Sequence, residues 1–173
     1  MIKKYKLLIL ICFLSVSSSV FAKDIMGFWK TISDETKKPQ SLVAIYPYQN
    51  KYYGRLIATF DDNGKIFDST ENPITKAPGV KGQPYYSGLD FIWDLEKEGD
   101  KYVNGVILDP EKGDEYSAEA WIENGDLIVR GQLFFIGKNQ IWPKALDSDF
   151  PQGFKKPDLL KLVPKIPEVI ETE

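Results

Sequence analysis

Residues 105–137 read GVILDPEKGDEYSAEAWIENGDLIVRGQLFFIG. The stretch has the grammar of three consecutive antiparallel strands joined by two tight turns. Its middle strand alternates: Tyr116, Ala118, Ala120 and Ile122 fall on one face, and Glu115, Ser117, Glu119 and Glu123 on the other. Only Trp121 interrupts the polar side. Alternation with a period of two is what a sheet with one packed and one wet face requires. Asp109-Pro110-Glu111-Lys112-Gly113 supplies a proline with preset φ and a glycine free to take positive φ. Asn124-Gly125 is a strong hairpin signal.

The same pattern extends outward. Gly27–Thr31 opens the series as a first strand, and Ser33–Pro39 is a polar loop. Ser41–Tyr48 is β-rich, with Pro47 restricting its end to an edge or bulge. Gln49-Asn50-Lys51 turns the chain into Tyr52–Phe60, whose Gly54, Leu56, Ala58 and Phe60 share one face in a regular strand. Asp62-Asn63-Gly64 is another turn. Asp68–Pro84 holds three prolines and two glycines and reads as a long surface loop, of the kind used as a lid or binding loop. Tyr85–Leu95 is aromatic and strand-like, Glu96–Asp100 turns, Lys101–Leu108 returns, and Asn139–Trp142 closes the set. Eight or nine short strands without a convincing helix before residue 145 predict an all-β fold. An antiparallel up-and-down barrel is favoured over an open sandwich because closure removes edge strands.

Beyond Lys144 the composition changes. Pro151, Pro157, Pro164 and Pro167 punctuate a tail, residues 145–173, expected to be partly ordered and to lie across the barrel. Asp158–Val163 could form a turn or two of helix.

At the other end, Lys3, Lys4 and Lys6 precede an apolar run, Leu7–Leu14, and Val20-Phe21-Ala22 has the form of a cleavage site. This is the layout of a secretory signal peptide over residues 1–22. The run is too short to span a bilayer, which takes roughly 20 residues. The expectation is export to the periplasm or beyond, with no transmembrane span in the mature chain. Of the 173 residues, 151 then remain, one domain by length. They carry 19 basic against 25 acidic residues, a net of −6. That balance argues against nucleic acid.

The chain has no histidine, and its one cysteine, Cys12, lies in the leader. The mature chain therefore offers no disulfide, no thiol nucleophile, no Ser-His-Asp triad and no zinc site of the His/Cys kind. Asp109, Glu111, Asp114 and Glu115 lack the alternating spacing of a calcium loop. The expectation is a non-enzymatic protein with no cofactor and no metal.

Gly27-Phe28-Trp29-Lys30-Thr31, Tyr53-Gly54-Arg55, Asp68 with Asn72-Pro73, Gly88-Leu89, Asn104-Gly105, Asp109-Pro110 with Gly113 and Tyr116, Leu127 with Arg130-Gly131, and Trp142 with Lys144 occur in this order over roughly residues 27–144. As a set they resemble the exported bacterial domain-of-unknown-function family DUF2147. The resemblance implies a lipocalin-like (calycin) barrel of eight antiparallel strands over residues 23–144. The chain departs from the family pattern in ending the last motif with lysine rather than arginine, and in adding the tail. By the same resemblance Trp29 plugs one barrel end beneath a cation, Arg130 or Lys144.

The aromatic supply is the best functional hint, because ligand cavities are mostly apolar with few polar groups. Tyr53, Tyr85, Tyr86, Phe91 and Trp93 flank the long loop and are the candidate ligand-binding residues at a barrel mouth. The first expectation is a small apolar or amphipathic ligand held there and gated by Asp68–Pro84. The alternative is an envelope protein-interaction module with a filled barrel. A third reading, a carboxylate hydrolase using Asp90 and Asp94, needs two acids facing each other across a cleft.

Overall fold

The structure is a computed structural model that describes residues 24–133 and 136–170. The leader lies outside the described residues. Nine strands form one antiparallel sheet: β1 Gly27–Ile32, β2 Pro39–Tyr48, β3 Lys51–Phe60, β4 Ile66–Ser69, β5 Asp90–Glu98, β6 Lys101–Asp109, β7 Asp114–Glu123, β8 Asp126–Leu133 and β9 Ile136–Trp142. Eight run in the order β1-β2-β3-β5-β6-β7-β8-β9, and β4 is a short addition to β3. The ring closes just past β9. Lys30 N donates to Pro143 O at 2.9 Å, Ala145 N donates to Phe28 O at 2.9 Å, and Trp29 bridges Lys144. The fold is the lipocalin-like, nearly closed eight-stranded barrel.

The opening hairpins form as read. Ala118 and Ala120 are buried while Glu115, Ser117 and Glu123 are exposed. Asn124 and Gly125 both take positive φ, as a type I′ turn demands. Asp109 Oδ1 accepts from Glu111 N and Lys112 N, holding the turn into β7.

Several details differ from the sequence reading. Tyr85–Leu89 is not strand; it belongs to the long connection, and β5 starts at Asp90. That connection's first residues, Asp68 and Ser69, instead finish β4. On β3 the regular alternation breaks after Leu56. Val43 pairs with Leu56 but Leu42 pairs with Ala58, so Ile57 is an extra residue. Such a bulge switches faces. Gly54 and Leu56 look into the bore, while Ile57 and Ala58 join an outer cluster with Leu42, Ala44 and Phe150. β2 and β3 are thus packed on both sides, which explains the unbroken buried run Ser41–Tyr46.

Both ends of the barrel are closed. At the end where β1 begins, Ile25 is fully buried, Trp29 Nε1 donates to Ile25 O at 2.9 Å, and Asp24 accepts from Tyr52 Oη and Tyr102 Oη. At the other end, the connection between β4 and β5 folds over the mouth. Its Ala77, Val80 and Leu89 belong to the interior core. Gly79 lies so close to Gly113 of the β6–β7 turn that a Cβ at Gly79 would overlap Gly113 N, and Gly79 N donates to Pro110 O at 3.0 Å.

The tail wraps the outer wall of β1, β2, β3 and β5. Phe150 meets Phe28 edge-on, centroids 5.5 Å apart, and packs on Phe154. Asp158–Val163 makes a single turn, closed by Lys161 N to Asp158 O at 3.0 Å, and no helix. Residues 168–170 pair with 79–81 of the long connection.

Candidate functional site

The tail lies over a buried polar cluster that the strand register creates. Gly54 of β3 opposes Ile45 and Ile92, and a Cβ at Gly54 would strike both side chains. These three positions face the bore, so their neighbours Tyr46, Tyr53 and Arg55 point outward. On β5 the register slips between Gly54–Ile92 and Arg55–Asp90, leaving Phe91 as the extra residue. The slip sends Asp90 outward beside Arg55 while Phe91 and Ile92 both join the core.

Arg55 and Asp90 then meet as a two-pronged pair. Nε donates to Oδ1 at 2.9 Å and Nη2 to Oδ2 at 2.7 Å. Tyr46 Oη donates to Asp90 Oδ1 at 2.8 Å, and the guanidinium lies 5.3 Å from the Tyr46 ring centre. The Asp90 side chain is fully buried and that of Arg55 is 15% exposed. Paired forks of this kind are the strong charge-assisted bonds, and Asp90 has its charge met from several sides. Burial alone would lower the Arg55 guanidinium, but the hydrogen bond and charge of Asp90 outweigh it and hold it above its usual range. Burial, then the Asp90 charge, push the Tyr46 phenol far up.

Both members of the pair also bond to the tail's main chain. Arg55 Nη2 donates to Val163 O at 2.8 Å, and Lys165 N donates to Asp90 Oδ2 at 2.7 Å. Pro164 sits between them and has no N–H to leave stranded. Beside this cluster Tyr53 stacks on Tyr46, centroids 5.8 Å apart, and donates to Asp94 Oδ1 at 3.1 Å.

The five aromatic candidates do not assemble into one site. Tyr53 is buried on the outer wall. Phe91 is in the bore, where its ring lies 6.2 Å from that of Trp142. Trp93 is buried in the main core. Tyr86, within the long connection, is half-buried against the core, and Tyr85 is exposed, with Lys76 Nζ 3.4 Å from its ring centre. At the opposite end Trp29 is buried, but no cation lies over it among the described residues. Lys144 is exposed and touches Trp29 through backbone pairing. Arg130 points outward over Gly137 of β9. Asp90 and Asp94 do not face each other: Asp90 holds Arg55, while Asp94 pairs with Lys51 at 3.4 Å.

Two hollows of the described surface lie outside the bore. One, about 690 Å³, is bordered by Lys81, Glu115 and Pro167–Ile170. The other, about 460 Å³, lies between the β1–β2 loop and β9, against Ile32, Asp34 and Ile141. Among the described residues no three His, Cys, Asp or Glu side chains converge as a metal site. No helix among them is long and apolar enough to cross a membrane.

The model of one bacterial family, described as "Uncharacterized protein conserved in bacteria (DUF2147)", matches residues 27–144. The chain belongs to the DUF2147 family. The matched segment is the barrel itself, from the first residue of β1 to the Lys144 closure. Among solved structures, this DUF2147 chain is similar to protein HP1028 from Helicobacter pylori, described as belonging to the lipocalin family. The identity is 18%, with 73% of this chain and 86% of that chain covered and a TM-score of 0.59. At that identity the likeness is one of fold. No curated protein sequence matches the chain. The family match stops at Lys144, so the tail over Arg55 and Asp90 lies outside it.

The sequence reading passed over the Arg55–Asp90 pair. A signal was present: Arg55 is the one charge inside the Tyr52–Phe60 run, and Asp90 begins an aromatic strand. A β-strand whose other residues are apolar exposes such a charge or pairs it.

Proposed function

We propose that this is an exported, non-enzymatic binding protein that acts through its outer surface, as an envelope protein-interaction module, rather than through a molecule held in its bore. One observation carries the reading. Phe91 and Trp142 come from strands four places apart in an eight-membered ring, opposite walls of the barrel, and their rings are in contact distance across it. An eight-stranded barrel is just wide enough to fill with side chains or to hold one small ligand, and here side chains occupy that level. Ala77, Val80 and Leu89 close the mouth above. Export rests on the leader layout of residues 1–22.

The competing reading is a small apolar or amphipathic ligand at the barrel mouth. The fold likeness to a protein of the lipocalin family favours it. It requires the connection between β4 and β5 to lift and the bore to repack. Native mass spectrometry of the protein from its own envelope separates the two. The chain alone, or with a protein partner, fits the interaction module; a stoichiometric small molecule overturns it.

A further inference from the structure

We infer that Arg55 and Asp90 form a main-chain clamp for extended, proline-containing protein segments, and that residues 157–170 are its resident occupant. The inference rests on the outer-surface reading above and specifies its partner: a protein segment presenting a carbonyl and an N–H on either side of a proline.

The geometry defines what the clamp accepts. It takes one C=O, from Val163, and one N–H, from Lys165, two residues apart. Neither bond involves a side chain of the occupant. The intervening Pro164 satisfies the clamp without offering an unpaired donor. A guanidinium–carboxylate pair that is itself fully buried on the acid side is a fixed tool, already oriented by Tyr46. Recognition through main-chain groups of an extended segment is an established way to bind peptides.

The resident segment runs between two anchored ends. Phe150 and Phe154 anchor it on one side, and the Val80–Val169 bridge on the other. Between them Leu160, Val163 and Ile166 are 73%, 56% and 52% exposed, while Leu159 and Leu162 pack, partly buried, against the barrel. The terminal ion pair, Lys81 with Glu168, is exposed on both partners and contributes little. A segment that meets the clamp through two charge-assisted hydrogen bonds and lays Leu159 and Leu162 beside it can be exchanged for another that offers the same main-chain groups and similar apolar side chains.

The test converts the resident segment into a separate peptide. A protease site is placed at Gln152-Gly153 in the full chain, both positions exposed, and the protein is cut after folding. A labelled synthetic peptide of residues 157–170 is the probe. The inference expects saturable exchange of the cut segment for the probe. It expects a K165A probe to bind within about threefold of the parent. It expects a K165P probe, which lacks the N–H given to Asp90, to lose about tenfold or more relative to K165A, as fits one hydrogen bond to a charged group. Equal loss with K165A and K165P overturns main-chain reading, as does equal binding of a scrambled peptide. Failure of the probe to exchange overturns the clamp. None of these outcomes depends on a clamp variant folding. Failure of the outer-surface reading appears elsewhere, as a ligand bound in the bore.

Discussion

Phe91 of β5 and Trp142 of β9 approach each other across the barrel, ring centroids 6.2 Å apart and planes inclined by 34°. The contact joins opposite walls, so it measures the bore directly. Truncation there opens space that the surrounding strands cannot collapse. Phe91→Ala should destabilise by about 3–5 kcal/mol, the range for buried aromatic-to-alanine changes. Denaturant unfolding checks this. The variant should also bind an apolar probe that the parent does not.

Trp29 closes the other end with Ile25, to whose carbonyl its indole donates. Trp29→Ala should cost about 3–5 kcal/mol. Lys144→Ala should leave stability within about 0.5 kcal/mol, since an exposed side chain away from special features contributes little. A large loss for Lys144→Ala in thermal unfolding would restore the cation-over-indole role.

For the clamp, Asp90→Ala leaves the Arg55 charge partly buried without its partner. The expected loss is about 3–5 kcal/mol. Replacing Arg55 and Asp90 together by apolar residues of similar volume should cost less than either change alone, because no orphaned charge remains. A double-mutant cycle by urea unfolding measures the difference.

The pH profile follows from the phenols. Burial, with the nearby Tyr102 and Asp24, pushes Tyr52 up to about 12, and burial with the Asp94 bond pushes Tyr53 up to about 12. Each holds its proton more tightly folded than unfolded. The stability they contribute is therefore complete below the ordinary tyrosine value of 10.0 and is lost as pH rises from there toward about 12. With no histidine in the chain, stability should be flat from about pH 6 to 9. Unfolding midpoints across pH, followed beside tyrosinate absorbance, check both parts.

Much of the barrel could be read from residues alone, because alternation in β7 and the Asn124-Gly125 turn are local signals that tertiary packing did not override. Closure could be argued only by elimination; its agents, Lys30 N and Ala145 N, are backbone groups that no side-chain pattern marks. The β3 bulge was not legible either. Ile57 and Ala58 fit either face until Phe150, some 90 residues later in the chain, arrives to cover one of them. The same holds for the candidate site. Aromatic content pointed to Tyr53, Tyr85, Tyr86, Phe91 and Trp93 as one group, but a one-residue slip at Phe91 puts Phe91 inside and Asp90 outside. Register slips of this kind arise from strand pairing and leave no trace in composition. The tail's path was hidden for a related reason, since main-chain bonds to Arg55 and Asp90 and scattered apolar contacts hold it, rather than a recognisable motif.

The most direct test is a titration of the parent protein with the apolar fluorophore N-phenyl-naphthylamine, read by energy transfer from the buried tryptophans. A filled bore predicts no saturable binding to the parent and one-to-one binding to Phe91→Ala. Saturable one-to-one binding to the parent, with quenching of tryptophan emission, would contradict the account.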